Sequence, residues 1–274
     1  MTLPNFIVIG PGKTGTTWLY QCLAAHPQIG LARNTKETLF FNDYYGRGLS
    51  WYEKFFDGIE APAIGEVSNT YFFNPGVPGR IAAELPKVKL IAFLRDPVDR
   101  VMSLYLFRLR NGLVKGSLDD AIAADSSMVA QNFFDEHLAR WFAAFPREQI
   151  FIALFEDLKR DPRQLLRNLY EFVGVDPDFV PEVAGQRVLE ASAPRSPGLF
   201  HALKRFALWL RDHDFHRALS WAKTNPYIMG LLTRPLGADK PRMPPETRAR
   251  LQAIYRPHIR KTELLIGRDL KDWL

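Results

Sequence analysis

The chain has 274 residues, 47% of them hydrophobic and 24% charged, which is the make-up of a globular protein with enough length to bury one large core, so a single domain over 1–274 is expected. No stretch reaches the ~18–20 continuous apolar residues of a membrane span, and the N-terminal "MTLPNFIVIGPGK" lacks the basic start and cleavage site of a secretory leader, so a cytoplasmic location is expected. The single cysteine, Cys22, excludes an internal disulfide and a cysteine-built zinc site, while a net charge of +6 and a pI near 9.4 point to an anionic partner without specifying its kind.

In chain order, "NFIVIG" reads as a buried strand leading into a glycine-rich loop, with a helix from about Thr17 that carries Cys22 in the core. Further apolar strands are expected at 63–68, 87–94 and 149–155. Helical patterns lie between them: Arg80 to Leu85, Val98 to Leu109, Asn132 to Phe145 and Pro162 to Val173. Alternation of this kind predicts an α/β fold with a central parallel sheet flanked by helices, and ligands bind in such folds where strands end and helices begin. After Val173 the chain becomes turn-rich and then gives "LFHALKRFALWLRDHDFHRALSWAK", an amphipathic pattern that predicts a helical insert over 196–242. That stretch holds eight Lys/Arg against three Asp, a local +5. A terminal helix is expected to be interrupted at Pro257.

"GPGKTGTTW", residues 10–18, ends like a Walker A loop at Gly12, Lys13 and Thr14, but Ile7 stands where that motif needs its first glycine. A glycine-rich turn between strand and helix gathers backbone N–H groups and a helix dipole around one anion. Gly12 and Gly15 allow the turn, Lys13 adds a charge, and the hydroxyls of Thr14, Thr16 and Thr17 add donors. A second motif, "LIAFLRDPVDRVMSLY", places Arg95 at a strand end, Asp96 as a helix N-cap, Pro97 at the first helical position and Ser103 about 10 Å further along the helix, an arrangement able to flank one anion.

With these residues in place, "PGKTGTTWLY" resembles the 5′-phosphosulfate loop of sulfotransferases that use 3′-phosphoadenosine 5′-phosphosulfate (PAPS), through Lys13, Gly15, Thr16 and Thr17, with Trp18 next in line. "TKETLFFNDYYGRGLSWYEKFF" is similar to the Lys-Glu and Phe-Phe segment of heparan-sulfate-type (N- and 3-O-) enzymes, and "GEVSNTYFFNPGVPGRI", "QIFIALFEDLKRDPRQLLRNLYEFVGVDP" and "YRPHIRKTELLIGRDLKDW" are similar to their later segments. The chain is thereby identified as resembling a soluble, bacterial-like member of that family. The resemblance implies a P-loop-containing three-layer sandwich, PAPS as sulfuryl donor, 3′,5′-diphosphoadenosine as product and no metal. It further implies that Glu37 is the general base, Lys13 stabilises the bridging oxygen, Lys36 contacts the leaving group or the acceptor, and Gly12 to Trp18 hold the phosphosulfate. Arg95 and Ser103 would bind the 3′-phosphate, and Lys240 and Arg242 would belong to a basic loop over the nucleotide.

Two departures concern the acceptor. Leu39 and Val67 stand where 3-O-type enzymes carry His and Lys, which argues against a heparan-like acceptor and leaves a carbohydrate, a lipid or a small hydroxylated or aminated molecule. Two other readings stand beside this one: a P-loop kinase, with Thr14 and Asp96 on a magnesium ion, and a basic lipid-surface or polyanion-binding protein, resting on the insert. His213 and His216 have a spacing able to ligate metal and are assigned to the insert instead. Peripheral membrane contact and oligomeric state stay open, and nucleic acid is not expected as a partner.

Overall fold

The computed structural model describes residues 2–185 and 241–274, together with 192–194, 203, 206, 209–210, 212, 215 and 233–235. Five parallel strands form its centre: β1 (Phe6–Gly10), β2 (Ile29–Leu31), β3 (Ala63–Val67), β4 (Lys89–Leu94) and β5 (Ile150–Leu154), in the order β2-β3-β1-β4-β5. The chain runs outward from β1 on one side and then returns to add β4 on the other. This reversal opens a crevice at the carboxyl end of β1, which is where α/β sheets bind ligands. Register between β1 and β4 shifts between Val8 and Gly10, so β1 bends as it enters the glycine-rich loop.

Both faces of the sheet are covered, which explains why its strands read as continuous apolar runs rather than alternating ones. Phe6, Val8, Ile91 and Phe93 meet α1 (Thr16–Ala25) and α9 (Pro162–Val173), while Ile7, Ile9, Leu90, Ala92 and Leu94 meet α3 (Val77–Glu84), α4 (Pro97–Arg110), α7 (Phe134–Ala144) and α10 (Pro245–Ile266). Each such side chain, buried in full, contributes roughly 1.5–3 kcal/mol. Cys22 is a packing residue on α1, and burial pushes its thiol up to about 12, far from reactivity.

Four shorter helices complete the described chain: α2 (Leu49–Glu53), α5 (Leu118–Ala124), α6 (Ser127–Ala130) and α8 (Phe155–Arg160). Two expectations are corrected here. The helix expected from Arg80 begins at Val77, with Pro78 in its first turn, where a missing N–H leaves no bond unmade. The terminal helix is not interrupted: α10 runs through Pro257, which lies on its exposed side, so the unpaired carbonyl of Ala253 faces water.

Most of the insert at 196–242 lies outside the described residues, as do Lys240, His213 and His216. Its base is nevertheless defined by two antiparallel strands, β6 (Ser192–Pro194) and β7 (Thr233–Pro235), with β6 against α4. Among the described residues no helix is long and apolar enough to cross a membrane.

Candidate active site

The loop after β1 is fixed by backbone geometry that its sequence permits. Gly10 has φ 99°, and a Cβ there would lie 2.5 Å from the Asn69 carbonyl oxygen, so this position admits no side chain. Gly12 N–H donates to that same carbonyl at 3.2 Å. Thr14 is fully buried and donates its hydroxyl to the Pro11 carbonyl at 2.6 Å, so it closes the loop rather than offering its proton to an anion. Gly15, at φ 101°, starts α1 without a side-chain cap, and among the described residues the N–H groups of Thr16, Thr17 and Trp18 have no acceptor. Trp18 presents only its backbone N–H at this helix start. Its indole is buried and donates to the Ala184 carbonyl at 3.2 Å.

Cations surround this loop. Asp96 caps α4, accepting from the N–H groups of Val98 at 2.7 Å and Asp99 at 3.1 Å, and so starts the helix directly at the end of β4. Arg100, Ser103, Phe107 and Arg110 follow at helical spacing and share one face of α4, and Lys13 places its ammonium 4.4 Å from the centre of the Phe107 ring, so that face fronts the loop. Arg95 donates to the Lys13 carbonyl at 3.3 Å and rests on the Phe155 ring, while Arg100 donates through Nε to the Gly12 carbonyl at 2.9 Å. Burial first, and then Arg110, Arg100, Arg95 and Lys36, hold the Lys13 ammonium down to about 8. Among the described residues Lys13, Lys36, Arg100 and Arg110 have no carboxylate within ion-pair distance, and Arg95 has only Asp99, at 4.0 Å. The crevice is therefore strongly electropositive.

Glu37 stands on the segment between β2 and α2. Asn69, just past β3, donates its side-chain N–H to Glu37 Oε1 at 2.6 Å, and its backbone carbonyl holds Gly12. The adjacent Lys36 donates to the Thr17 hydroxyl at 3.4 Å, which ties the Glu37 segment to the first turn of α1, and burial lowers its pKa against the opposing effect of Glu37. Behind Glu37, the next residue is locked from below. Thr38 donates its hydroxyl to Glu66 Oε2 at 2.6 Å, Tyr52 donates to Glu66 Oε1 at 2.9 Å, and Phe41 N–H donates to the Tyr71 hydroxyl at 3.2 Å. Glu66 is 1% exposed, and burial raises its carboxyl pKa while these hydrogen bonds lower it. Leu39, at φ 57°, then turns the chain into a π-helical Phe40–Tyr44.

The structure therefore brings Lys13, Thr17, Lys36, Glu37 and Arg95 to one crevice, with Ser103 half-buried on the facing side of α4. Arg242 is not joined to it: it is exposed ahead of α10, and among the described residues no contact links it to the loop. Four residues at this site escape a reading by motif: Asn69, Glu66, Arg100 and Arg110. Asn69 and Glu66 have a signal in their position at the end of a buried strand, and Arg100 and Arg110 in their helical spacing from the Asp96 cap.

The profile of the sulfotransferase domain matches residues 3–193. The chain belongs to the sulfotransferase family. The sulfotransferase of Alicyclobacillus acidocaldarius superimposes with a TM-score of 0.73 at 25% identity, over 100% of this chain and 99% of that one. The human bifunctional heparan sulfate N-deacetylase/N-sulfotransferase 3 is 29% identical over 297 residues, covering 99% of this chain and 31% of the relative. The membrane-associated sulfotransferase kil1 of Dictyostelium discoideum is 43% identical over 114 residues, 40% of this chain and 24% of that protein. This sulfotransferase domain thus spans about a third or less of the length of these curated relatives. Its Val67, one of the two departures from the 3-O pattern, is fully buried against α1 and α9, so a side chain at that position faces the core and not the crevice.

Proposed function

We propose that this domain transfers the sulfuryl group of PAPS to a hydroxyl or an amine of a carbohydrate, lipid or small-molecule acceptor, with Glu37 as general base. The observation that carries this reading is Asn69, whose backbone holds the phosphate loop and whose side chain holds the Glu37 carboxylate, so that one residue sets the distance between an anion site and a base. PAPS supplies the sulfuryl group when bound. The N–H groups at the start of α1, with Lys13, would bind its phosphosulfate, and Arg95 with Ser103 its 3′-phosphate. Glu37 takes the acceptor proton as the acceptor attacks, while the Lys13 ammonium carries positive charge beside the departing oxygen. Lys36, between Glu37 and Thr17, supports either partner. The names of the heparan sulfate relatives support a glycan amine among the candidate acceptors. Glu37→Gln is expected to lower turnover at least 100-fold while changing 3′,5′-diphosphoadenosine affinity less than twofold. Equal loss of both would remove Glu37 as base.

The kinase reading is disfavoured because Asp96 Oδ1 is engaged by two backbone N–H groups as a helix cap and the Thr14 hydroxyl closes the loop on itself. Calorimetry separates the two readings. Binding of 3′,5′-diphosphoadenosine that exceeds binding of ADP and is indifferent to Mg²⁺ is the expected outcome, and Mg²⁺-dependent preference for ADP would overturn the assignment.

A further inference from the structure

Arg100 is 1% exposed, yet among the described residues it has no carboxylate partner. The groups it touches are neutral, and the charges nearest to it, Lys13 and Arg95, have its own sign: Nε donates to the Gly12 carbonyl at 2.9 Å, Nη1 donates to Asn132 Oδ1 at 2.7 Å, and the guanidinium lies 5.0 Å from the centre of the Phe73 ring. Asn132 is itself buried and fixed by the Met128 carbonyl at 2.9 Å. Burial works against the charge, but an arginine remains protonated at neutral pH. A buried charge without a counter-charge is a standing penalty in the free protein. The fold keeps one in contact with the glycine-rich loop.

The contact with Gly12 also has a direction. In a trans peptide the C=O of one residue and the N–H of the next point to opposite sides of the chain. Holding the Gly12 carbonyl on Arg100 therefore turns the Lys13 N–H to the opposite side of the chain, and Arg95, holding the Lys13 carbonyl, does the same for the Thr14 N–H. Among the described residues neither N–H has an acceptor. Donation to a carbonyl also polarises its peptide, which strengthens the N–H on the other side as a donor.

We infer that Arg100 is a positioning residue for the donor's anionic groups: it aims the Lys13 N–H into the site and supplies a buried charge whose counter-ion is the bound phosphosulfate. This rests on the PAPS reading above, and it predicts a division that a plain structural pillar would not show. Removing the side chain should weaken anion binding without weakening the free protein in step, because the lost hydrogen bonds are offset by relief of the unpaired charge.

The test compares wild type, Arg100→Met and Arg100→Lys by calorimetry with 3′,5′-diphosphoadenosine and by thermal melting, free and with nucleotide or inorganic pyrophosphate. Arg100→Met should bind the nucleotide at least tenfold more weakly, lose the pyrophosphate-induced rise in Tm, and melt in the free state within about 3 °C of wild type. Arg100→Lys, which keeps the charge but cannot reach both Gly12 and Asn132 with a fork of donors, should fall between the two. Unchanged nucleotide and pyrophosphate responses in Arg100→Met would overturn the inference, and so would a fall in free-state Tm in both variants that matched the loss of binding. A wild-type protein that binds pyrophosphate but not 3′,5′-diphosphoadenosine would instead sink the PAPS reading, and the pyrophosphate comparison would still decide the role of Arg100.

Discussion

Lys13 is the residue at which the electrostatics of the loop are most open to measurement. Burial and four neighbouring cations hold its free-state pKa down to about 8, and an anion bound beside it must raise that value. The bound form then carries the higher pKa, so affinity is at its full value below about pH 8 and falls as pH rises through 8 toward the bound pKa. Calorimetry of 3′,5′-diphosphoadenosine in buffers of different ionisation enthalpy should show net proton uptake at pH 8.5 and little at pH 6.8, and a Lys13→Arg variant should lose the difference. Asp96 shows the opposite case of a group working against its own charge. Burial, and to a lesser extent Asp99 and Glu156, push its carboxyl up to about 6 although two N–H groups pull it down. A raised carboxylate pKa favours the protonated form, so the charge is a burden at pH 7 that is relieved as pH falls through 6 toward the unfolded value near 4. Asp96→Asn keeps the capping oxygen without the charge and should match or exceed wild-type stability at pH 7.5, with the gap narrowing as pH falls from 6 to 4. Asp96→Ala should be about 1 kcal/mol less stable than Asp96→Asn through loss of the cap, read from urea midpoints.

The elements that sequence makes legible are those whose pattern is long or whose ends carry a chemical marker. β1, β3, β4 and β5 are apolar runs buried on both faces, α4 announces itself through Asp96 and Pro97, and α9 carries apolar residues at helical spacing. β2 does not, because "IGL" is a three-residue edge strand with one buried side chain, too short for any period to register. The segment that carries Glu37 is illegible for another reason. Its conformation depends on Glu66, Tyr52 and Tyr71, which are distant in sequence, and neither the π-helical turn nor the left-handed Leu39 has a local signature. Pro257 misleads in the reverse direction, since local rules predict a break and the buried face of Leu251, Tyr255 and Ile259 holds the helix together across it. Packing overrides propensity here at a cost that should be recoverable. Pro257→Ala restores the bond to the Ala253 carbonyl, and after allowing for the freer unfolded chain it should raise stability by about 1–2 kcal/mol in urea denaturation.

At the scale of the molecule the proposed donor side and the Glu37 side of the crevice differ in kind. The donor side is built from strand ends and helix starts, rigid elements that place a cation to within a hydrogen bond, and its residues are legible because the chemistry of anion binding demands them in order. The segment that follows Glu37 adjoins the insert, whose base is closed by β6 and β7 next to α4 and whose Asp212 reaches back to it. Tyr44 donates its hydroxyl to Asp212 Oδ1 at 2.6 Å, and Arg47, stacked near Tyr44 and Trp51, donates to the Asp212 carbonyl at 2.7 Å. Nearby in the chain, Phe206, Trp209 and Phe215 stack in sequence with centroids 5.9 and 6.2 Å apart and remain about half exposed, a surface of the kind that meets an apolar or sugar face. If Tyr44 and Arg47 are what fasten this surface beside Glu37, cutting both ties should loosen the insert and leave the donor site alone. The Tyr44→Phe, Arg47→Ala double variant should be cleaved by trypsin within 196–242 at least fivefold faster than wild type, at the sites that Lys204, Arg205 and Arg211 provide, with 3′,5′-diphosphoadenosine affinity unchanged. Unaltered cleavage would show that the insert is held by its strands, and a parallel fall in nucleotide affinity would show that the two sides of the site are not separately built.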